Sequence, residues 1–478
     1  MIIPNLKDKS PGSQLHRILF QFCKQVENSP KINPPAACRY YFLIGSLIWN
    51  TYACFDNSFP FVDGFRAERL NIACRMCENE LWCYFYSRLI VCFQELKKVE
   101  CPWLTIPKYD DCVAVCPEFL TSVKQYLRKR NNDGFITDKV FDYPNKGYFI
   151  NIDDTIEDLR SLPDPDSWTP LAVKQPDGSY KKQSFVQPFF GQVKNWLTTE
   201  EWDQVWQIAS DNYPSKEVFE QQVENQVEIS SALTNQQKLI AEIWAGTEPK
   251  KASPPTKWMI LLALVIAAKS YPLKESVALI GGICFNLLHA GVTAWAVKTK
   301  YLQKRPIQGV RQKYFNQEIM SPFSGQITNG GQWLPWQVST LFTPGFADYV
   351  SGHSAFSMAC AVFFQMIFKS DVIPLCGVFV SPDYYHLWSQ VFDDIKRPCC
   401  VDQINLDPLC SIVNSNYPTA PVFISWKSWN ELANQAGMSR IYGGIHWENS
   451  NMGGLEIGSY ISRTLFDKIN WKGMNLNF

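Results

Sequence analysis

The sequence has no excess of charge of either sign, because 45 Lys and Arg residues balance 45 Asp and Glu residues. Such a chain creates no long-range field that favours nucleic acid or an anionic membrane surface. We therefore expect no nucleic-acid partner. The segment from Met1 to Ser10 also lacks the apolar core of a secretory signal peptide, which predicts a cytoplasmic protein.

Disulfides and structural metal sites are not indicated either. A chain of 478 residues can form a hydrophobic core large enough to fold without disulfide bonds, so its 16 cysteines are expected to be buried free thiols. Cys74 and Cys77 form a CxxC pattern with no matching second pair, which is weak support for zinc.

Long apolar runs are scarce. The stretch from Val277 to Val297 has no formal charge and reaches the length of about 20 residues that a spanning helix needs. It contains Asn286 and His289, however, and it continues directly into Lys298. These polar residues favour a central helix that is buried on all sides within a helical bundle. We expect no membrane span.

The local patterns are mostly helical. Apolar residues recur at helical spacing over residues 36–57 and 66–97, whereas Pro and Asp recur over residues 101–190. The second pattern predicts irregular structure or a short hairpin. Few stretches alternate as strands do. The expected fold class is therefore all-α, a large soluble helical bundle with few or no strands.

A helix start marks the second half of the chain. Thr234 and Gln237 have the spacing of a capping box, in which each side chain meets a backbone N–H of the other residue. Residues 1–230 are expected to form an N-terminal helical region that packs on a catalytic helical bundle of residues 231–478. The Gly-, Pro- and aromatic-rich stretch 307–350 is expected to wall a pocket.

Three short motifs supply the residue types that hold a tetrahedral oxyanion. Once water is removed, each oxygen of such an anion must be met by a donor or a positive charge. The motifs together offer three cations, a hydroxyl, a flexible backbone N–H and two imidazoles. They are Lys298 with Arg305 and Pro306, then Ser351-Gly352-His353, and finally Arg440 with His446.

Each motif has a plainer interpretation beside the functional one. Lys298 and Arg305 are seven residues apart, which predicts one face of a single helix that Pro306 ends, but such a face is often only solvated. Ser351-Gly352-His353 precedes an apolar run, so a helix starting there would aim N–H groups at an anion. His353 would then transfer protons, or else be a satisfied core histidine.

The last motif adds a residue with chemical reactivity. Arg440 can hold an oxyanion in a bidentate fork. His446, within such a cage, would be either a nucleophile for phosphoryl transfer or a metal ligand. The remaining histidines of the chain have no such context and stay unassigned: His16, His289 and His386.

Together, the motifs resemble the superfamily shared by vanadium-dependent haloperoxidases and type-2 phosphatidic acid phosphatases. Two aromatic residues resemble the haloperoxidase branch. Trp295 stands three residues before Lys298, and Phe346 stands five before Ser351, where fungal vanadium chloroperoxidases carry the aromatic residues of the halide pocket. The resemblance is strong from about residue 230 to residue 465 and fainter before that.

The resemblance implies the following assignments. Vanadate would be the cofactor, bound covalently to the ring nitrogen of His446, and phosphate could occupy the same site. His353 would be the acid–base residue for hydrogen peroxide, and Lys298 would polarise the bound peroxide. Halide would be oxidised to hypohalous acid that halogenates a small organic acceptor, and the departures of this chain from the family pattern favour bromide or iodide over chloride. The residues implied to hold the vanadate oxygens are Lys298, Arg305, Ser351, Gly352 and Arg440.

The sequence departs from the family pattern at two carboxylates. Fungal members carry an aspartate that hydrogen-bonds the acid–base histidine shortly after a Trp-Ala segment, and here Glu248 is the candidate replacement. An acidic residue often follows the vanadate-bound histidine by four positions, where this chain has Ser450. Both departures leave anion binding intact while weakening the case for chloride oxidation.

Two other functions stay open at this point. An acid phosphatase of the same superfamily would use the same cage, with a phosphohistidine intermediate at His446 and His353 as the leaving-group acid. A helical structural or partner-binding protein with a relic pocket would instead show an empty or blocked cage and a large exposed apolar patch elsewhere.

Overall fold

The computed structural model describes residues 11–29, 32–70, 73–106, 114–152, 156–174, 177–245, 252–373, 403–406 and 411–478. Helices dominate these residues, so the predicted all-α class with few strands is confirmed. In the first half, the helices are α1 (Pro11–Asn28), α2 (Pro34–Ala53), α3 (Glu78–Val99), α4 (Pro117–Asn131), α5 (Thr199–Asp211) and α6 (Lys216–Ser231). In the second half they are α7 (Asn235–Ile243), α8 (Pro254–Lys269), α9 (Leu273–Tyr301), α10 (Pro306–Lys313), α11 (Gly352–Phe368), α12 (Trp429–Tyr442) and α13 (Glu448–Asp467).

The described strands are short and form three small sheets. The first has the order β1 (Ile150–Asn151), β2 (Leu171–Lys174), β3 (Tyr180–Lys182), with β1 parallel and β3 antiparallel to β2. Two antiparallel pairs follow, β4 (Glu318–Ser321) with β5 (Gln326–Asn329) and β6 (Gln403–Leu406) with β7 (Val422–Ser425).

Local signals in the sequence account for several element ends. Thr234 and Gln237 form the predicted capping box at the start of α7, each side chain accepting from the other residue's backbone N–H. The hairpin of β2 and β3 lies in the stretch predicted to be irregular or a hairpin. That stretch also contains α4, which the prediction missed because the surrounding Pro and Asp residues obscured its helical spacing.

Helix α9 is the central element of the bundle. It packs against α2 on one side and α11 on another, and two glycines allow this close approach. A Cβ on Gly281 would collide with the ring of Trp49 in α2, and one on Gly282 would collide with the ring of Phe363 in α11. Among the described residues, α9 is the one helix long and apolar enough to cross a membrane, and its apolar window is 100% buried inside the protein. It is a core helix, as the sequence predicts.

The largest hydrophobic cluster of the described residues runs through both halves of the chain, from α1 to the helices that follow residue 428. His289, on α9, contributes a polar link to this core. Its Nδ1 lies 2.7 Å from the carbonyl oxygen of Phe285, and the backbone N–H of Trp196 donates to its Nε2 at 3.0 Å. A carbonyl can only accept, so Nδ1 carries the proton and the ring is neutral.

This arrangement predicts an acid-sensitive contribution to stability. Burial lowers the pKa of His289 from 6.5 to about 4. Between these two pH values His289 is protonated in the unfolded chain but not in the folded chain. The contribution of neutral His289 to the free energy of unfolding is therefore fully present above about pH 6.5 and is lost as the pH falls towards 4. Between about pH 7.5 and pH 5, we expect the free energy of unfolding to fall by roughly 2 kcal/mol on account of this residue.

The measurement is urea unfolding, followed by tryptophan fluorescence, of the wild type and the His289→Gln variant at both pH values. The glutamine cannot be protonated, so the variant should show a smaller pH dependence by that amount. Equal pH dependence in the two proteins would show that His289 does not titrate as described.

Candidate active site

Lys298 and Arg305 meet at a sharp turn rather than on one helix, so that prediction was wrong. Helix α9 ends at Tyr301, where Leu302 adopts the left-handed conformation with φ of 49°. Arg305 is the residue that precedes α10, and Pro306 begins α10 instead of ending α9. Proline favours a first helical position because its missing N–H has no partner to lose there.

The turn brings both cations to one loop. Lys298 Nζ donates to the carbonyl oxygens of Ala347 at 2.9 Å and Asp348 at 2.7 Å. Arg305 Nε donates to the carbonyl oxygen of Phe346 at 2.8 Å. Both cationic side chains are fully buried. The loop 346–348 therefore supplies the backbone acceptors that partly compensate their lost hydration.

Ser351-Gly352-His353 begins a helix, as predicted. Ser351 caps α11, and its Oγ accepts from the N–H of Ser354 at 3.3 Å. The N–H groups of Gly352 and His353 then have no carbonyl partner within the helix, which is the usual basis of an anion site. A Cβ on Gly352 would approach the ring of Trp295 to 3.2 Å, so glycine keeps this helix start close to the aromatic wall.

His353 lies at the edge of the cavity, with its ring nitrogen Nε2 2.9 Å from the carbonyl oxygen of Trp244. Because a carbonyl only accepts, Nε2 carries the proton and Nδ1 is the basic nitrogen. Burial, together with Arg440 and Lys257, lowers the pKa of His353 well below its usual value. The described partner of this histidine is thus a neutral carbonyl, while Glu248, its predicted partner, lies outside the described residues.

His446 is held as the opposite tautomer. The hydroxyl of Ser450 donates to the carbonyl oxygen of Asp348 at 2.9 Å, so its oxygen must accept from His446 Nδ1 at 3.0 Å. On the other side of the ring, Arg305 Nη1 lies 3.2 Å from Nε2 and can only donate. Nε2 therefore presents a lone pair to Arg305.

The charges around His446 keep it neutral. Burial first, then Arg305, Lys298 and Arg440, lower the pKa of His446 well below its usual value. Arg440 itself is fully buried, with Nε donating to Ser439 Oγ at 2.9 Å and Nη2 donating to the carbonyl of Ala241.

Asp348 is a site residue that the sequence reasoning missed. Its Oδ1 lies 2.9 Å from His446 Nδ1 and 3.6 Å from Arg305 Nη1, and its side chain is fully buried. Burial raises the pKa of Asp348 to about 6, against the opposing effects of Arg305 and Lys298, so the carboxylate is ionised at neutral pH. A signal was present, because Asp348 is the only Asp, Glu, Lys or Arg between residues 319 and 368.

The residues fit an oxyanion. Lys298 and Arg305 carry two buried positive charges beside the carboxylate of Asp348, and Arg440 adds a third cation to the site. Arg305 Nη2 is buried and has no hydrogen-bond partner among the described residues. Burial and the neighbouring Arg305 lower the pKa of Lys298 well below its usual value, with Asp348 opposing them. A bound vanadate or phosphate would supply the missing acceptor and a negative charge.

Aromatic residues form part of the wall of a cavity of about 590 Å³ next to these cations. The rings of Trp295 and Phe346 lie 5.1 Å apart, and the Phe346 ring lies 5.1 Å from Lys298 Nζ and 4.8 Å from Arg305 Cζ. Both aromatic residues line the cavity together with Gly352, His353 and His446. The structure thus brings every predicted site residue into one connected cluster.

The first half of the chain completes this cavity. Trp295 Nε1 donates to the carbonyl oxygen of Val186 at 2.9 Å, which fixes the indole ring. Glu27 and Pro34, near the α1–α2 junction, line the cavity. Leu341 and Gly345, from the stretch 307–350, line it as well. The prediction that this stretch walls a pocket is therefore confirmed.

Comparison with known proteins agrees with this geometry. Residues 282–472 match the family model of the VCPO second helical-bundle domain. The predicted resemblance to the vanadium-dependent haloperoxidase family is confirmed. The matched segment contains every residue of the cage, from Trp295 to Ser450.

Solved structures extend the likeness to the fold of nearly the whole chain. An apo-type bacterial vanadium-dependent chloroperoxidase has a TM-score of 0.66 and 14% sequence identity, over 93% of this chain and 95% of the other. Its holo-type form gives the same score and identity over 94% and 96%. The first bacterial vanadium-dependent iodoperoxidase has a TM-score of 0.56 and 14% identity, over 95% of each chain. No curated protein matches the sequence.

The cage predicts a strong and selective effect of Lys298 on oxyanion binding. Lys298→Met should weaken the binding of orthovanadate and of inorganic phosphate by roughly tenfold to a hundredfold, because a hydrogen bond to a charged group contributes about 1.5–3 kcal/mol. Isothermal titration calorimetry on the full chain measures both constants.

Lys300 provides the matched control. It lies two residues further along α9, is exposed, and stacks on Trp206 with its Nζ 4.3 Å from the ring. Lys300→Met should bind both anions as the wild type does. Equal losses in the two variants would indicate a general effect of charge rather than a contact in the cage.

Proposed function

We propose that this chain is a vanadate-dependent haloperoxidase. It would oxidise bromide or iodide with hydrogen peroxide to hypohalous acid, which then halogenates a small organic acceptor. The observation that carries the proposal is the neutral His446 with its Nε2 lone pair facing buried cations, next to a donor of Arg305 that has no partner among the described residues. A vanadate ion takes a nitrogen ligand and oxygen-directed donors of this kind.

The reaction is balanced as follows: hydrogen peroxide, halide and one proton give hypohalous acid and water. The halide loses two electrons and the peroxide gains them. When bound, vanadate would supply a Lewis acid that binds peroxide and makes it electrophilic. His446 and the cations Lys298, Arg305 and Arg440, with Ser351 and the Gly352 N–H, would hold that ion.

The protein's own residues would then handle protons and water. His353, with Nδ1 unprotonated, would accept a proton from entering peroxide and return one to the departing oxygen. Lys298 Nζ donates two hydrogen bonds, to the carbonyl oxygens of Ala347 and Asp348. Its third N–H would be available to donate to the peroxide oxygen on which negative charge develops. Trp295 and Phe346 would offer ring edges to a weakly hydrated halide.

The partner of His353 supports a preference for bromide or iodide. The carbonyl oxygen of Trp244 carries no formal charge, so it stabilises a protonated imidazole less than a carboxylate would. A smaller fraction of His353 is therefore protonated at a given pH, which leaves less acid to activate the bound oxidant. Chloride is harder to oxidise than the heavier halides, so this arrangement favours bromide or iodide.

The distribution of oxidisable residues supports a hypohalous acid product. Among the described residues that line the cavity, none is Cys or Met. Seven of the ten described free cysteines are buried, and Cys77 is the exposed one. Burial raises the pKa of several of these thiols, including Cys92 to about 12, which suppresses the reactive thiolate.

The test is bromination of monochlorodimedone by purified protein, peroxide and bromide, before and after addition of orthovanadate. We expect activity only with vanadate, faster with bromide than with chloride. His446→Ala should abolish activity because it removes the nitrogen ligand. His353→Ala should keep vanadate bound, as measured by calorimetry, while slowing turnover by about 10²- to 10⁴-fold.

The same experiment separates the phosphatase alternative. Absence of halogenation, with vanadate instead inhibiting hydrolysis of p-nitrophenyl phosphate, would assign the cage to phosphoryl transfer. Full halogenation by His446→Ala would contradict the mechanism in either form.

A further inference from the structure

A carboxylate lies close to the Nδ1 atom of His446 and also within 3.6 Å of Arg305 Nη1. Asp348 Oδ1 is 2.9 Å from His446 Nδ1, but the hydrogen-bond geometry is met by Ser450 Oγ at 3.0 Å. The nitrogen thus faces a hydroxyl and an ionised carboxylate at nearly equal distance. Both require a proton on Nδ1, which leaves the lone pair on Nε2.

Asp348 and Ser450 form one connected unit. The Ser450 hydroxyl donates to the backbone oxygen of Asp348 at 2.9 Å, and the N–H of Ser351 donates to the backbone oxygen of Ser450 at 2.8 Å. Asp348 Oδ2 also lies 3.4 Å from the N–H of Trp447. The loop that carries Asp348 is therefore fixed to the first turn of α13, which carries Ser450.

The sequence position of the carboxylate makes this arrangement informative. Position 450 follows His446 by one helical turn, where the family resemblance leads us to expect an acid and this chain has serine. The acid occurs instead at position 348, on a different element, with its oxygen at the same ring nitrogen. A carboxylate thus still lies beside His446 Nδ1, but it belongs to a residue on a different structural element.

We propose that Asp348 is the positioning residue of His446. Asp348, on the loop 346–348, takes the role of the carboxylate that is expected at position 450, where this chain has serine. Together with Ser450, it holds the imidazole in the orientation and tautomer that aim Nε2 at a bound vanadate. This inference rests on the proposed function in one respect, the identity of the ion that bonds to Nε2.

The sign of the effect on anion binding distinguishes positioning from charge alone. Removing Asp348 leaves the cage one unit more positive, so simple attraction would strengthen the binding of every oxyanion. Loss of a carboxylate that orients a metal-binding histidine instead weakens the bond to that histidine, by about 10- to 100-fold in comparable sites. Vanadate depends on that bond, whereas inorganic phosphate binds through charge and hydrogen bonds.

The experiment measures the dissociation constants of orthovanadate and inorganic phosphate by calorimetry, using the full chain and three variants. Asp348→Ala should bind vanadate about 10- to 100-fold more weakly while binding phosphate at least as tightly as the wild type. Asp348→Asn keeps the size of the side chain and should show the same split, which covers the case in which the alanine variant fails to fold.

The double variant Asp348→Ala with Ser450→Asp tests the exchange directly. Returning a carboxylate to the ring nitrogen from α13 should restore vanadate affinity to within about threefold of the wild type, although Asp348 is absent. A purely structural role for Asp348 would not be rescued in this way.

Three results would overturn the proposal: unchanged vanadate affinity in Asp348→Asn, equal losses for vanadate and phosphate, or no recovery in the double variant. Failure of the proposed function looks different. The wild type would then bind vanadate without brominating, and the affinities of the variants would still decide the part played by Asp348.

Discussion

The structure depends on holding the charges of Lys298, Arg305 and Arg440 together in the protein interior, with the carboxylate of Asp348 beside Arg305. Removing a cation from water costs several kcal/mol unless fixed dipoles or opposite charges replace the lost hydration. Here the replacements are mostly backbone carbonyls of the loop 346–348 and the carboxylate of Asp348. Arg305 Nη2 still has no hydrogen-bond partner among the described residues, and a bound oxyanion would supply one.

This constraint explains why the surrounding elements are arranged as they are. The turn after α9 places Arg305 close to Lys298 near the end of that helix, and α11 begins at Gly352, which lines the same cavity as His446. The first half of the chain stabilises this arrangement, because the carbonyl oxygen of Val186 accepts a hydrogen bond from the indole N–H of Trp295. It also lines part of the cavity mouth, so its contribution extends beyond packing. The boundary near residue 230 remains a prediction, since the largest hydrophobic cluster contains residues from both sides of it.

The two histidines of the site show how partners on other elements decide chemistry. Both rings are neutral, because burial and neighbouring cations lower their pKa values. His353 carries its proton on Nε2 because that atom meets the carbonyl of Trp244, and His446 carries its proton on Nδ1 because that atom meets Ser450 and Asp348. One ring is thereby prepared to accept a proton and the other to bind through its lone pair.

The sequence by itself determined the mainly helical fold, the helix starts at Thr234 and Ser351, and the types of residue in the cage. These follow from local rules, since capping and periodicity act between residues close in the chain. It did not reveal the turn between Lys298 and Arg305, because a spacing of seven fits one helix as well as two. It also gave no means of linking Asp348 to His446, since that contact spans 98 positions of the chain. Only the tertiary structure decided it, because which buried carboxylate meets which imidazole depends on how the loop 346–348 packs against α13.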